Sequence, residues 1–459
     1  MYIAMMICFR SIFARTAAIA LALCLALPSQ AGAQTIIRDT EIENDIAAWF
    51  KPILTAAGMS PDQVNIILVQ DSQVNAFVAG GSNIFLYTGL LQKTEDPGEV
   101  IGVMAHELGH ITGGHLIRGR EAMEQASYES ILGLILGGVA AVASGDGRAA
   151  GAIGTGASSM AQRSFLANSR AFESSADQAA LKFFEKAHLS PMGLESFMRK
   201  LEDEELRPSS RQSEYVRTHP LTRDRISMIE TRVEQSPDKN KSFPQQWMAQ
   251  HKMMLAKLAG FVTPQQVMWV YDDRDTSMPA MTARAIAAYR QNDVARALKL
   301  TDALLAKEPD NPYFLELKGQ MLVDFGRVAE AVPYYEKAVA QKPDAGLIRT
   351  ALAHTQIETA GSNTAKLDKA LDNLSRALKD EPRSTRIHRL MATAYGRKGD
   401  ESRAKLHLAE EALLQRRYDY AKSQAKGALP GLKQGTADWI RANDIISFSD
   451  SGKVSEKRR

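Results

Sequence analysis

The chain has 459 residues, 45% of them hydrophobic, which is material for more than one core, and its formal net charge of +3 is too nearly balanced to argue for nucleic acid as a partner. Both cysteines, Cys8 and Cys24, lie in the first 33 residues. A chain cut after that stretch has no thiol, which excludes disulfides and thiolate metal sites and leaves histidine and carboxylate as metal ligands.

Residues 1–33 read as an export signal: Arg10 and Arg15 precede the apolar run from Ala17 to Leu27, and Ala31-Gly32-Ala33 is a small-residue cleavage site. Residues 41–58 carry Ile42, Ile46, Trp49, Phe50, Ile53 and Leu54 at helical spacing, with Pro52 expected to kink or interrupt the helix. Val64 to Val69 is a β-branched strand, and Val74 to Ala79 and Ser82 to Tyr87 flank Gly80-Gly81 as a hairpin. That hairpin either completes a sheet or offers an edge to an extended peptide.

Next comes Met104-Ala105-His106-Glu107-Leu108-Gly109-His110, a His-Glu-x-x-His pattern. Asp96-Pro97-Gly98-Glu99 reads as a helix start and Gly113-Gly114 as its stop, so the pattern sits on a helix. Positions four apart in a helix face the same way, and His106 and His110 can grip one zinc ion. Glu107 projects beside them as a general base for water activated by the metal. His115, beyond the glycine stop, reads as structural.

Residues 131–143 are almost wholly apolar, yet fewer than the twenty or so that a spanning helix needs, and 145–159 are rich in glycine, alanine and serine. A lid over the active-site cleft, a peripheral membrane contact through 131–160, and a buried helix with a flexible loop all fit this composition. The third zinc ligand is expected in Ser169-Arg170-Ala171-Phe172-Glu173-Ser174-Ser175-Ala176-Asp177. Two acids one helical turn apart on an apolar face need a cation or a metal. Glu173 as ligand with Asp177 as acceptor for a ligand histidine is one reading, and a salt bridge to Arg170 or another arginine is the other. His219, before Pro220, is placed on a loop from which it reaches either the open metal position or a reacting carbonyl.

Trp247, Met253, Leu255, Leu258 and Phe261 suggest a helix bracing the first half of the chain against the second. From Met281 the chain turns into alanine- and leucine-rich helical pairs, with Pro309 and Pro343 one 34-residue period apart and Pro382 later than that period, so one repeat carries an insertion near Gly361-Ser362-Asn363. About four repeats are expected over 278–416, with a partial one to about 428 and a polar, disordered end from about Asp450.

Three ordered motifs, Ala-His-Glu-Leu-Gly-His, Ser-Arg-x-x-Glu-x-x-Ala-Asp and Thr-His-Pro-x-Thr-x-x-Arg-Ile, resemble those of the M48 zinc metallopeptidase family, which includes the CAAX prenyl endopeptidases. The resemblance implies His106, His110 and Glu173 as zinc ligands, Glu107 as general base or acid, and His219 as a histidine that fills the fourth zinc position and holds the enzyme latent. With an export signal in front and repeats behind, it further implies a periplasmic protein. Unfolded or misassembled outer-membrane proteins would be its substrates, and the outer-membrane assembly machinery its partner through the repeats. The expected architecture is an α+β zincin-type metalloprotease domain followed by an all-α tetratricopeptide-repeat solenoid: signal 1–33, protease 34–270, repeats 271–428, tail 429–459. The competing expectation is a repeat-based chaperone or adaptor whose metal site is latent or structural.

Overall fold

The structure, a computed structural model, describes residues 35–115, 117–118, 170–205 and 212–456. The expected export signal and the stretch 131–160 lie outside them. The first helix, α1 (Thr40–Ala56), is capped by Asp39, whose side chain accepts from the Ile42 N–H. Contrary to expectation, α1 runs through Pro52 without interruption. Proline inside a helix costs roughly 3 kcal/mol. Ile46, Phe50 and Ile53 of the same helix are fully buried, and such burial returns roughly 1.5–3 kcal/mol for each. The carbonyl left unpaired by Pro52 belongs to exposed Ala48, within reach of water.

A four-stranded sheet lies beside α1, in the order β1 (Thr35–Ile37), β2 (Asn65–Gln70), β4 (Asn83–Tyr87), β3 (Ala76–Ala79). β2 and β4 are parallel and the two outer pairings are antiparallel. The hairpin is present, but Ala79 pairs with Asn83, so its loop is three residues rather than the expected two. Gly80 and Gly81 both take positive φ there. β3 therefore forms one edge of the sheet.

After the short α2 (Thr88–Lys93) comes α3 (Pro97–Thr112), with Asp96 accepting from the Glu99 N–H and Gly113 at the C-cap. It is buried on every side from Pro97 to Gly109, not along one stripe. The sheet, α1, α4 (170–187), α5 (Met192–Glu205), α6 (Glu214–Thr218) and α7 (Arg223–Glu234) surround it and share one core.

α8 (Gln245–Val262) is the expected brace. Met254 and Leu258 lie in the core of the first half, whereas Ala256 packs with Ala283 and Ala287 and Phe261 with Ile286 of the second. A short α9 (Val267–Val270) comes next, and then helices in pairs: α10 (Met278–Arg290) with α11 (Val294–Lys307), α12 (Pro312–Asp324) with α13 (Val328–Gln341), α14 (Gly346–Glu358) with α15 (Thr364–Asp380), α16 (Thr385–Arg397) with α17 (Glu401–Leu414). Ala331, Tyr335 and Ala338 are buried where α12 and α13 meet. The longer third pair places its extra residues partly in α15, which has 17 residues against 14 in α11 and α13.

The region beyond Ala428, expected as a tail, is helical instead. α18 (Tyr418–Ala428) is followed by α19 (Ala437–Glu456), whose Ala442 and Ile445 are fully buried against Ala409, Ala421 and Ala425. An end pair of helices covers apolar surface that the fourth pair would otherwise expose. Among the described residues, no helix is long and apolar enough to cross a membrane.

Candidate metal centre

α3 supplies His106 and His110 one turn apart, as the spacing required. α4 crosses directly behind, because Gly109 has no side chain: a Cβ there would stand 2.7 Å from the Ala176 carbonyl oxygen. This close approach brings Glu173, one turn before Asp177 on α4, up to the two imidazoles. His219 arrives from the C-cap of α6, where its N–H donates to the Tyr215 carbonyl at 2.8 Å.

The side chains of His106, His110, Glu173 and His219 converge, with one donor atom from each within 4.8 Å of all the others. His106 Nε2 lies 3.1 Å from His110 Nε2, 3.4 Å from His219 Nδ1 and 3.3 Å from Glu173 Oε2. Glu173 Oε1 is 3.4 Å from His110 Nε2, and Glu173 Oε2 is 3.2 Å from His219 Nδ1. A tetrahedral ion with ligands at about 2.0–2.2 Å holds its donors about 3.3–3.6 Å apart. The spacings and the nitrogen and oxygen donors both fit zinc.

The surrounding charges favour a cation at this point. Burial opposes charge on His106, but the carboxylates of Asp177 and Glu173 outweigh it and raise this histidine to about 10. Burial and the neighbouring His106 push His110 down to about 2. Burial would raise Glu173, yet His219 and His106 hold it well below the usual carboxylate range. Glu107 is shifted upward by burial. Its Oε1 is buried without a hydrogen-bond partner among the described residues, and His219 Nε2 stands 3.5 Å off.

Behind the donors, His106 Nδ1 donates to Asp177 Oδ1 at 2.8 Å, the arrangement that fixes a ligand histidine's tautomer. Asp177 and Glu173 also pair with an arginine, as the salt-bridge reading of the α4 acids expects. It is Arg225, not Arg170, which is exposed. Arg225 sits in the third motif at the start of α7, and only its place in that motif hinted at a role. Tyr215 was missed entirely; fully buried, it lays its ring 4.6 Å from that of His219, and its hydroxyl has no hydrogen-bond partner among the described residues. Nothing in its local sequence marks it.

Residues 40–233 match the model of Peptidase family M48, and residues 282–346 match that of a tetratricopeptide repeat. The chain is similar to the beta-barrel assembly-enhancing protease of Yersinia pestis, 26% identical over 320 residues, which cover 69% of this chain and 65% of that protein. It is 24% identical to the protein of that name from Escherichia coli (strain K12) over 305 residues, 66% of this chain and 62% of the relative. Metalloprotease LoiP of the same organism is 26% identical over 170 residues, 37% of this chain and 63% of LoiP. The chain thus spans somewhat under two thirds of the length of these relatives. From the converging donor set and these matches together, residues 40–233 are a peptidase family M48 domain, and the helical pairs behind it are of the tetratricopeptide-repeat type.

Proposed function

We propose that the chain is a periplasmic zinc metalloendopeptidase that removes misfolded or stalled envelope proteins and assists outer-membrane β-barrel assembly, with the repeats recruiting substrate or the assembly machinery. The observation that carries the catalytic part is the convergence of His106, His110 and Glu173 with the carboxylate of Glu107 buried beside them, its Oε1 without a hydrogen bond among the described residues. His106, His110 and Glu173 would hold a zinc ion, which would supply Lewis acidity toward a peptide carbonyl and lower the pKa of water toward neutrality. Glu107 takes the proton of the attacking water and passes it to the leaving amine, a task suited to a carboxylate whose pKa burial has raised. β3, at the sheet edge and packed near α3, offers an extended substrate a strand to pair with. The periplasmic site and the substrate class rest on the similarity to the beta-barrel assembly-enhancing proteases.

His219 adds a regulatory reading. With Nδ1 among the donors, it would serve as a fourth ligand that closes the site, and cleavage would then require the segment carrying it to move.

Metal analysis of the purified protein, with cleavage assays on an unfolded β-barrel protein, tests the proposal. Wild type is expected to hold one zinc per chain and cleave; Glu107→Gln keeps the zinc and loses cleavage by about a hundred-fold or more. Equal cleavage by the two proteins sinks the mechanism.

A further inference from the structure

His115 lies five residues beyond His110, past the end of α3, yet its ring folds back and is only 6% exposed. Among the described residues, two neighbours hold it. It stacks on Phe172 with centroids 4.7 Å apart and planes 19° apart, and it rests on Gly113, where an added Cβ would run into its Nε2. In this position His115 Nδ1 is 3.0 Å from His110 Nδ1.

Two imidazole nitrogens at that distance share one proton, so one donates and the other accepts. His110 turns Nε2 toward His106 and Glu173, and an imidazole that lends the Nε2 lone pair carries its proton on Nδ1. Hence His115 Nδ1 is the acceptor, and its own proton is on Nε2.

We propose that His115 is a positioning residue that sets the tautomer and ring plane of His110 for metal binding. It does for His110 what Asp177 does for His106, but with a neutral acceptor in place of a carboxylate. Because Phe172 precedes Glu173 on α4, the stack also ties the helix bearing the carboxylate ligand to the end of α3. The inference rests on His110 being a ligand.

Zinc affinity by chelator competition tests it on the full chain, with melting of the metal-free proteins as the check on folding. His115→Phe keeps a ring against Phe172 and removes the acceptor; it is expected to weaken zinc binding roughly ten- to a hundred-fold. His115→Asn, whose Oδ1 takes the place of Nδ1, should stay within about three-fold of wild type. Gly113→Ala displaces the ring without removing it and should lose affinity as His115→Phe does. Unchanged affinity in His115→Phe and Gly113→Ala overturns the proposal, as does a loss in His115→Asn equal to that in His115→Phe. His110→Ala separates the two levels: if it binds zinc as tightly as wild type, His110 is no ligand and both readings fall.

Discussion

Arg225 closes a two-pronged grip on Asp177, Nε to Oδ2 at 2.7 Å and Nη2 to Oδ1 at 2.9 Å, while Asp177 Oδ1 also accepts from His106 Nδ1. A third guanidinium nitrogen, Nη1, reaches Glu173 Oε2 at 3.0 Å. One buried cation thus compensates two buried carboxylates on α4 and fixes the rotamer of each.

Arg225→Met is therefore expected to cost about 3–5 kcal/mol, because it strands buried charge. Arg225→Lys should recover little, since an ammonium cannot reproduce the fork. Urea unfolding of the metal-free proteins gives the numbers; a loss within about 1 kcal/mol would mean that the carboxylates find other partners.

Gly109 controls how near α4 comes to α3. Gly109→Ala should push α4 away, at an overpacking cost of about 1–3 kcal/mol, and draw Glu173 off the donor cluster. Zinc affinity should fall with stability. Wild-type affinity in a folded Gly109→Ala protein would place the third ligand elsewhere than α4.

For His219, the latch reading expects His219→Ala to raise self-cleavage or non-specific cleavage by opening the fourth position. If the ring instead stabilises charge in the transition state, turnover drops roughly ten-fold or more with zinc still bound. That drop would end the latch reading.

The junction between the halves should respond to pH. Lys257 on α8 pairs with Asp39 at 2.6 Å and Glu41 at 3.1 Å, and Asp45 on α1 and Glu316 on α12 share the same neighbourhood. Burial, with Glu41 nearby, raises Asp45 to about 7, and burial, with Asp39 nearby, raises Glu316 to about 8. Unfolded carboxyls titrate near 4, so here the folded form holds protons that the unfolded form has released. The stabilisation is complete below about pH 4 and is lost as pH rises through 7 and 8. Resistance of the junction to limited proteolysis should fall from about pH 5 to about pH 9, and Glu316→Gln should flatten that dependence. An unchanged slope in this variant would remove Glu316 from the explanation.

The sequence by itself determined what helix pitch and repeat length enforce. His106 and His110 share a face because they are four apart, Asp96 and Gly113 bound that helix, and the 34-residue spacing of Pro309 and Pro343 marks the paired helices. Glu173 and Asp177 were legible as candidates too, since acids on an apolar helical face demand compensation.

Only the tertiary structure decided which groups compensate them. Arg225 rather than Arg170 lies within reach, because α7 packs behind α4 whereas Arg170 faces outward. His115 reads as structural beyond the glycine stop, and only in the fold do a missing Cβ at Gly113 and the ring of Phe172 turn it onto His110. Pro52 stays helical and the end of the chain folds as α19 for a similar reason: burial against distant segments outweighs what the local residues prefer. Spacing along the chain sets which side chains share an element's face, but which faces meet is settled by packing among segments far apart in sequence.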